Sequence, residues 1–307
     1  MKKYDIAVVG EIYVDHVLTG FVKWPKPGEE VFTNAYVKEL GGGAAITACA
    51  LARLGRSVSL IGVVGTNEMT WVEQRLSYFG VSSAGLRRGG GSTGVTVSVS
   101  SKVDRSYFTY VGENVRLEEQ LAGDSIVEQL AEARHVHIAM PITASLADRL
   151  ISRLGSRQCT TSLDVGHQEA WLHNPDNLKT CSMVNYLLPN EREAMMISAG
   201  NAKAYLDFTR SHHWPSGVVK MGASGAMMRA ESGTLCMRSP KVDTIDTTGA
   251  GDAFDAGFID GLLDDEVGEE CLRRGCICGA LSTRVAGALR GLPTRDELRR
   301  CYKETYG

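Results

Sequence analysis

Residues 246–257 read Asp-Thr-Thr-Gly-Ala-Gly-Asp-Ala-Phe-Asp-Ala-Gly, a run of small residues that leads into a helix. Because the run begins without bulky side chains, its backbone N–H groups can converge on one point. The N-terminus of the helix adds partial positive charge there. The pattern predicts an anion hole that suits a phosphate group.

Asp252 lies in the first turn of that helix, next to the predicted anion hole. A carboxylate beside bound phosphate is electrostatically costly, and accepting a proton from an attacking hydroxyl is a function that would justify it. The alternative is that Thr248 or a neighbour caps the helix and that Asp252 compensates the helix dipole. The local residues support the two interpretations equally.

Outward from this stretch, short apolar segments alternate with segments of helical length. Strands separated by helices imply right-handed crossovers and a mostly parallel sheet that is covered on both faces. The sequence therefore predicts an α/β fold. Strands are expected at residues 4–10, 58–64, 135–140, 161–165, 186–188 and 218–221, and helices at 44–54, 68–79 and 267–284.

Residues 15–37 and 92–111 interrupt this alternation. The first segment mixes polar and apolar residues around a turn at 24–28, and the second alternates around a polar turn at 101–104. Alternation with turn signals is typical of half-buried antiparallel strands. We expect one small sheet, interpreted as a lid rather than as an extra decorative sheet. The remaining core comprises residues 1–14, 38–91 and 112–307.

Composition excludes several classes of protein. The 307 residues carry 33 Lys and Arg against 36 Asp and Glu, a net charge of -3, which offers no electrostatic footprint for nucleic acid or an anionic membrane. No apolar run approaches the roughly 20 residues of a membrane span. The opening residues lack the apolar stretch of a signal peptide. Eight scattered cysteines fit a reduced compartment, so a cytoplasmic location is expected.

Two groups of potential metal ligands are interpreted as structural. Cys271, Cys276 and Cys278 lie on a predicted helix, where residues two apart point in nearly opposite directions. They are expected to be buried thiols. His135 and His137 share one face of a predicted strand, but no third ligand is placed near them by the sequence. Metal-thiolate chemistry is therefore not predicted.

The stretch at 246–257 closely resembles the second signature of the ribokinase-like (pfkB) family of carbohydrate and nucleoside kinases. The resemblance extends over nearly the whole chain, because several further motifs occur in the family's order. The resemblance implies a three-layer α/β/α fold with a mostly parallel central sheet and a small β-sheet lid. The further motifs are at residues 41–45, 52–55, 62–65, 189–193 and 220–225.

The resemblance also implies roles in phosphoryl transfer. Asp252 matches the catalytic base, and Gly249, Ala250 and Gly251 match the anion hole. Asn190 and Glu193 match an element that organises Mg²⁺ and phosphate through water. The alternative interpretation of Asn190 and Glu193 is a cap at the start of a helix. The alternative for Gly222 and Gly225 is a hairpin turn. The residues that match the border of the ATP site are Lys220, Gly222 and Gly225.

Other matches concern the acceptor. Asp15 matches an acid that binds substrate hydroxyls, and Gly41 and Gly42 match a loop that lets the substrate approach the backbone. Asp246 and Thr248 match positions where some members bind a monovalent cation such as K⁺. In the family the lid excludes water, and the lids of two subunits often pack together, so a homodimer formed through the lid is expected.

Departures from the family pattern concern the substrate. Ile46 replaces an asparagine, the run at 64–70 lacks an acid and a glycine, and Cys276 replaces a small polar residue beside the adenine site. The segment Asp164-Val165-Gly166-His167 lacks the arginine that a sugar acid would need. His167 is a possible contact to substrate or nucleotide, although a solvent-facing histidine is the commoner case.

The predicted function is an ATP-dependent kinase that phosphorylates a hydroxyl, expected to be primary, of a neutral sugar or sugar derivative. The alternative is a nucleoside kinase acting on adenosine or pseudouridine, with Trp24, Phe32 and Tyr107 forming a slot for the base. A sugar-binding regulator without catalysis is disfavoured by the intact Asp252. An oxidoreductase is disfavoured because no G-x-G-x-x-G follows the first strand.

Overall fold

The computed structural model describes residues 2–101, 105–166, 168–214, 216–231 and 233–307. Thirteen strands lie in this part of the chain. In chain order they are β1 Tyr4–Gly10, β2 Tyr13–Phe21, β3 Ala35–Gly41, β4 Val58–Gly65, β5 Ser82–Gly89, β6 Gly94–Ser101, β7 Arg105–Tyr110, β8 Ala133–Ala139, β9 Thr160–Leu163, β10 Tyr186–Leu187, β11 Ser216–Lys220, β12 Ala226–Ala230 and β13 Gly233–Met237.

Nine of these strands form the central sheet, in the order β13-β12-β11-β10-β9-β8-β1-β4-β5. Every neighbouring pair from β11 to β5 is parallel, whereas β12 and β13 add an antiparallel hairpin at one edge. The predicted mostly parallel sheet is confirmed.

Twelve α-helices lie in the described residues and surround this sheet. They are α1 Gly43–Arg53, α2 Met69–Phe79, α3 Leu117–Leu121, α4 Asp124–Leu130, α5 Ala144–Ser156, α6 Glu169–Leu172, α7 Pro175–Met183, α8 Glu191–Ser198, α9 Ala202–Ser211, α10 Ala250–Leu263, α11 Gly268–Ser282 and α12 Arg295–Tyr306, with short 3₁₀ turns at Gly112–Arg116 and Gly222–Ser224.

Strand β1 shows why helices cover both faces of the sheet. Its side chains are apolar on both sides, so neither face tolerates water. Ala7 and Val9 belong to a buried cluster that includes residues of α4, α5 and α9. Ile6 and Val8 belong to another, which includes residues of α1, α2 and α10. The result is the predicted α/β/α sandwich.

The small sheet has the order β3-β2-β6-β7. Strands β2 and β3 extend past the predicted segment 15–37, since Tyr13 of β2 pairs with Gly41 of β3, whereas β6 and β7 lie within the predicted segment 92–111. Strands β2 and β6 are parallel, whereas the outer pairs are antiparallel. Most of the predicted polar turn at 101–104 lies outside the described residues. The sheet is observed, and its action as a lid remains a proposal.

The structure also bears on the membrane prediction. Among the described residues, no helix combines the length and the apolar character that crossing a membrane would need.

Candidate active site

The carboxyl ends of three neighbouring parallel strands bring polar side chains to one edge of the central sheet. Asp164 follows β9, Asn190 follows β10, and Lys220 is the last residue of β11. Asn190 and Lys220 form a parallel bridge, which extends the pairing of these strands. Ligands of open α/β sheets bind at this edge. The N-terminal turn of α10 lies next to the same edge, with Gly251 beside the Lys220 ammonium.

The predicted anion hole is the turn between β13 and α10. Gly249 is the N-cap residue of α10, with φ 75° and ψ 5°, a left-handed conformation that glycine adopts without strain. The amide of Ala250 donates to the Thr247 carbonyl at 3.2 Å. Within the described chain, the amides of Gly251 and Asp252 have no backbone acceptor, so they are available to an anion.

Residues close to Asp252 in the chain line two cavities. One, which we call the turn cavity, has a volume of about 640 Å³ and is lined by Ala250 and Gly251 among others. The other, which we call the lid cavity, has a volume of about 220 Å³ and is lined by Thr248 and Asp15. Asp252 itself is among the described lining residues of neither cavity. Its Oδ1 points toward Gly43 at the start of α1.

The surroundings of Asp252 favour its neutral form. Burial and, to a smaller extent, the nearby Asp164 carboxylate raise the pKa of Asp252 to about 6, although Lys220 acts in the opposite direction. A raised pKa makes the carboxylate a stronger base, because its conjugate acid gives the proton up less readily. A carboxyl group with a pKa near neutrality is therefore suited to accept a proton from a hydroxyl.

Lys220 is the centre of a buried charge cluster. Its Nζ donates to Asp164 Oδ2 at 2.6 Å and to both carboxyl oxygens of Asp255 at 3.1 Å. Although burial acts in the opposite direction, Lys220 holds the pKa of Asp164 well below its usual range. Burial raises the pKa of Asp255 well above its usual range. The Lys220 ammonium therefore favours the ionised form of Asp164, whereas burial favours the neutral form of Asp255.

The sequence interpretation missed the partners of Lys220. In the sequence, Asp164 belongs to a segment that departs from the family pattern, and Asp255 belongs to the small-residue run. The spacing of Asp255 from Asp252, three residues on one helix, is a signal that could have placed both carboxyl groups on one face. Oxygens of Asp164, Asp252 and Asp255 lie within 4.8 Å of one another.

Asn190 and Glu193 form the reciprocal cap that was their alternative interpretation. Asn190 Oδ1 accepts from the Glu193 amide at 3.0 Å, and Glu193 Oε2 accepts from the Asn190 amide at 2.9 Å. Asn190 also lines the turn cavity, whereas Glu193 is buried and is not among the described lining residues. Burial and the Asp164 charge raise the pKa of Glu193 to about 7. Capping and a role toward a hydrated ion are compatible.

The turn cavity also contains the other residues that match the nucleotide site. Gly222 and Gly225 line it together with Lys220. Gly225 has φ +101°, and a Cβ there would lie 1.9 Å from the Met237 carbonyl oxygen, so this position requires glycine. Apolar side chains complete the wall. They include Pro240, Val242, Phe254, Cys276 and Ala280.

The donors around the turn cavity fit Mg²⁺. Asn190 lines the cavity, Asp164 contacts the lining residue Lys220, and Glu193 caps the helix together with Asn190. Their oxygen atoms are hard ligands of the kind that Mg²⁺ prefers, and Mg²⁺ keeps several of its waters. The remaining space of the cavity leaves room for those waters. By contrast, the position between Asp164 and Asp255 already holds the Lys220 ammonium.

Asp15 and Gly41 are packed directly against each other on β2 and β3. A Cβ at Gly41 would lie 2.2 Å from the Asp15 carboxyl carbon. Burial raises the pKa of Asp15 to about 7, which a hydrogen bond with Thr96 opposes. Gly42 has φ +91°, and a Cβ there would lie 2.3 Å from the Glu11 carbonyl oxygen. Gly41 thus leaves room for the Asp15 carboxyl group at the lid cavity, and Gly42 lets the chain pass close to the backbone of Glu11.

Asp246 holds two loops together below the lid cavity. Its Oδ1 accepts from the Thr248 amide at 2.9 Å, and its Oδ2 accepts from the Gly287 amide at 2.9 Å. The side chain is buried, and Asp246, Thr248 and Gly287 all line the lid cavity. The carboxylate therefore fixes the turn that precedes α10.

The structure shows the surroundings of two residues that depart from the family pattern, Ile46 and Cys276. Ile46 packs against Gly249, where a Cβ would lie 3.2 Å from Ile46 Cγ2, so it supports the turn rather than offering a polar contact. Cys276 is buried and lines the turn cavity. His167 lies outside the described residues. The cysteines Cys271, Cys276 and Cys278 lie on α11, all buried.

Of the three aromatic residues considered for a base slot, one lies at the lid cavity. Tyr107 lines it. Trp24 instead stacks on Phe108, with ring centroids 6.3 Å apart, and Phe32 is 80% exposed. The histidines His135 and His137 are buried, and each lies 2.8 Å from the Ser162 hydroxyl.

Comparisons with known proteins agree on one family. The family model described as pfkB family carbohydrate kinase matches residues 3–295. An ATP-dependent ribose-1-phosphate kinase of Halopiger xanaduensis is 32% identical over 277 residues, which cover 89% of this chain and 89% of that protein. A ribokinase of Bacillus subtilis is 28% identical over 300 residues, which cover 96% and 98%.

A solved structure supports the fold. The structure of Arabidopsis thaliana ribokinase complexed with ribose and ATP superimposes with a TM-score of 0.86 at 22% identity, covering 98% of this chain and 99% of that one. The two chains therefore share their fold over nearly their whole length.

Proposed function

This chain belongs to the pfkB family of carbohydrate kinases, and from that premise we propose that it transfers a phosphoryl group from ATP to a hydroxyl, expected to be primary, of a sugar. The observation that carries the proposal is the position of Asp252. Its carboxyl group, with a pKa raised to about 6, lies in the first turn of α10 beside amides that have no backbone acceptor, and residues on either side of it line the two cavities.

In the proposed reaction Asp252 accepts the proton of the acceptor hydroxyl as that oxygen attacks the terminal phosphorus of ATP. The amides of Gly251 and Asp252 donate to the transferring phosphoryl oxygens, and the α10 dipole adds to this stabilisation. Asp15 accepts hydrogen bonds from other hydroxyls of the acceptor and so fixes its orientation. The bond to the leaving ADP oxygen breaks, and the proton remains on Asp252.

Mg²⁺ would neutralise charge on the ATP phosphates in this reaction. Asn190 and Glu193 would hold it through its waters, and Asp164 lies near enough to contribute. Lys220 borders the same cavity, where Gly222 and Gly225 leave the backbone open to the nucleotide. A monovalent cation such as K⁺ is proposed near Asp246 and Thr248, and comparing rates in K⁺ and in tetramethylammonium salts tests it.

A sugar is favoured over a nucleoside as the acceptor. Cavities for drug-sized ligands typically measure about 300–1,000 Å³, and the lid cavity is smaller, at about 220 Å³. The polar side chains among its lining residues, such as Asp15 and Thr96, suit hydroxyl groups, and of the three aromatic residues considered only Tyr107 lines it. A nucleoside acceptor remains the alternative, and it would require the small sheet to move outward.

The small sheet is proposed to act as a lid, because residues of β2, β3 and β6 cover the lid cavity on one side. Excluding water would protect ATP from hydrolysis. Apolar surface is exposed on β7 by Tyr107 and Phe108 and in the connection between β2 and β3 by Trp24 and Phe32, which supports the proposal of a homodimer formed through the lids. Light scattering of the wild type against a Phe32→Lys variant tests the dimer.

The experiment that tests the proposed function is a screen of ADP release with the purified protein over neutral sugars, amino sugars, sugar acids, sugar phosphates and nucleosides. A neutral sugar should give the highest kcat/KM. A nucleoside as best substrate would replace the sugar assignment, and no acceptor-dependent ADP release with any class would overturn the proposal of a kinase.

A further inference from the structure

A third cavity, with a polar lining, adjoins the lid cavity, with which it shares Glu39 and Arg290. We call it the basic cavity. Its volume is about 550 Å³, and its charged lining consists of Lys38, Arg53, Arg75 and Arg290 against the single acid Glu39. Nothing in the phosphoryl-transfer machinery uses this surplus of positive charge.

Two of the four cations are already paired. Arg75 donates from Nη2 to both carboxylate oxygens of Glu39, at 2.7 and 2.8 Å. Lys38 pairs with Glu68 at 2.8 Å. Arg53 and Arg290 have neither an ion pair nor a side-chain hydrogen bond with any residue that the structure describes. Two uncompensated guanidinium groups therefore line one cavity.

Arg53 is the stronger indication of a ligand. It is the last residue of α1, and its Nε is buried without a hydrogen-bond acceptor in the described structure. A buried donor without a partner is destabilising, and native proteins seldom keep one unless a ligand, an ion or water completes it. An anion in the basic cavity would supply the missing acceptor.

Aromatic rings keep the paired cations in place. Lys38 Nζ lies 4.4 Å from the centroid of the Trp71 ring, and Arg75 Cζ lies 5.2 Å from that of Tyr78. Cations held by rings and ion pairs are preorganised, so a ligand need not order them. A guanidinium group matches the oxygens of a phosphate monoester, which it can bind through two hydrogen bonds.

We propose that the basic cavity binds the phosphate group of a small molecule, and that Arg53 and Arg290 hold this group. The phosphate has two possible sources. It belongs either to the acceptor, whose sugar ring would occupy the lid cavity, or to a separate phosphorylated metabolite. The separate metabolite would change the reaction rate while bound in the basic cavity. The shared residues Glu39 and Arg290 link either source to the substrate site.

Binding is tested with inorganic phosphate on the intact protein whose nucleotide site is filled by a non-hydrolysable ATP analogue. The readout is the indole NMR signal of Trp71, assigned with Trp71→Phe, at constant ionic strength. The signal should shift saturably in the wild type. Arg53→Gln and the exposed Arg290→Gln should each weaken binding about tenfold. Arg299→Gln, on the surface of α12, is the matched control and should bind like the wild type.

Absence of a saturable shift in the wild type, or equal affinity in the wild type and both variants, would overturn the proposal. This binding test does not depend on the proposed function.

The kinetic tests rest on the proposed function, and they distinguish the two sources of the phosphate. If the acceptor carries the phosphate, Arg53→Gln raises KM for a sugar phosphate but not for a neutral sugar. If a separate metabolite binds, phosphate changes the rate with saturating neutral sugar, and Arg53→Gln removes the change. Binding without either effect would overturn a role in the reaction.

Discussion

Lys220 Nζ and Asp164 Oδ2 lie 2.6 Å apart beneath the N-terminal turn of α10, and this ion pair joins the ends of β11 and β9. Both side chains are largely removed from water, with relative exposures of 9% and 12%. A buried ion pair contributes little net free energy to folding, because desolvation of the two charges offsets their attraction. Removing one partner is nevertheless destabilising, since it leaves the other charge buried and uncompensated. The pair also sets the potential around Asp252, because the two charges shift its pKa in opposite directions.

Replacing Lys220 by Met should therefore destabilise the protein by about 3–5 kcal/mol, since the Asp164 carboxylate would lose its partner. Chemical denaturation followed by circular dichroism measures the loss. The double variant Lys220→Met with Asp164→Asn removes both charges and should recover part of it. If the double variant is less stable than Lys220→Met, the two residues do not act as a pair.

The proposed base gives a prediction for Asp252→Asn. The amide cannot accept the hydroxyl proton, so kcat should fall about 100- to 10,000-fold, while the affinity for ATP stays near that of the wild type. ADP release measures the rate, and calorimetry measures ATP binding. Asp207→Asn, on the surface of α9, is the control and should keep full activity. A rate near that of the wild type would remove Asp252 from this role.

The raised pKa of Asp252 predicts the pH dependence of the wild type. The base must be ionised to act, and burial places its pKa at about 6 instead of the usual value near 4. Activity should therefore be lost as the pH falls through about 6, and not only near pH 4. The pH profile of kcat/KM for the best acceptor measures this limb. A flat profile down to pH 5 would show that no group with such a pKa limits the reaction.

Much of this arrangement could be predicted from the sequence, because the signals are local. The apolar run at 4–10 and the small residues at 249–251 each specify their own conformation, and β1 and the α10 turn lie where they were expected. Strand β5 was missed because Arg87 and Arg88 interrupt its apolar pattern. The hairpin of β12 and β13 was missed because it lies at an edge, where alternate side chains are partly exposed.

The charge cluster could not be predicted in the same way. Lys220 and Asp164 are 56 positions apart, and only the order of β9, β10 and β11 in the sheet brings them together. Asp255 looked like one more polar residue in the small-residue run, although it is completely buried. Which distant residues pair depends on the order of the strands in the sheet. Local sequence patterns predict individual strands but do not predict that order.

The contact between Gly41 and Asp15 predicts a substrate-specific defect. A methyl group at residue 41 would lie 2.2 Å from the Asp15 carboxyl carbon, so the carboxyl group must move. In Gly41→Ala the KM for the acceptor should rise about ten- to hundredfold, since the hydrogen bonds to a charged group are lost. The KM for ATP should change little. Gly90→Ala is the control, because a Cβ there meets no atom within 4 Å. An unchanged acceptor KM in Gly41→Ala would contradict the assignment of Asp15.

The hydrogen bonds of Asn114 give a prediction about the connection between the small sheet and the central sheet. Asn114 Oδ1 accepts from the Ile12 amide at 3.0 Å, and its Nδ2 donates to the Ile12 carbonyl at 2.9 Å, so one buried side chain satisfies the backbone between β1 and β2. Asn114→Ala leaves both backbone groups without partners and should cost about 1–3 kcal/mol of stability. Because Ile12 connects the central sheet to the small one, hydrogen exchange should rise in β2 and β6 more than in β8. Asn177→Ala, on α7, is the control with no expected effect on β2. Equal exchange in all three strands of Asn114→Ala would show that this side chain stabilises the fold without controlling the connection.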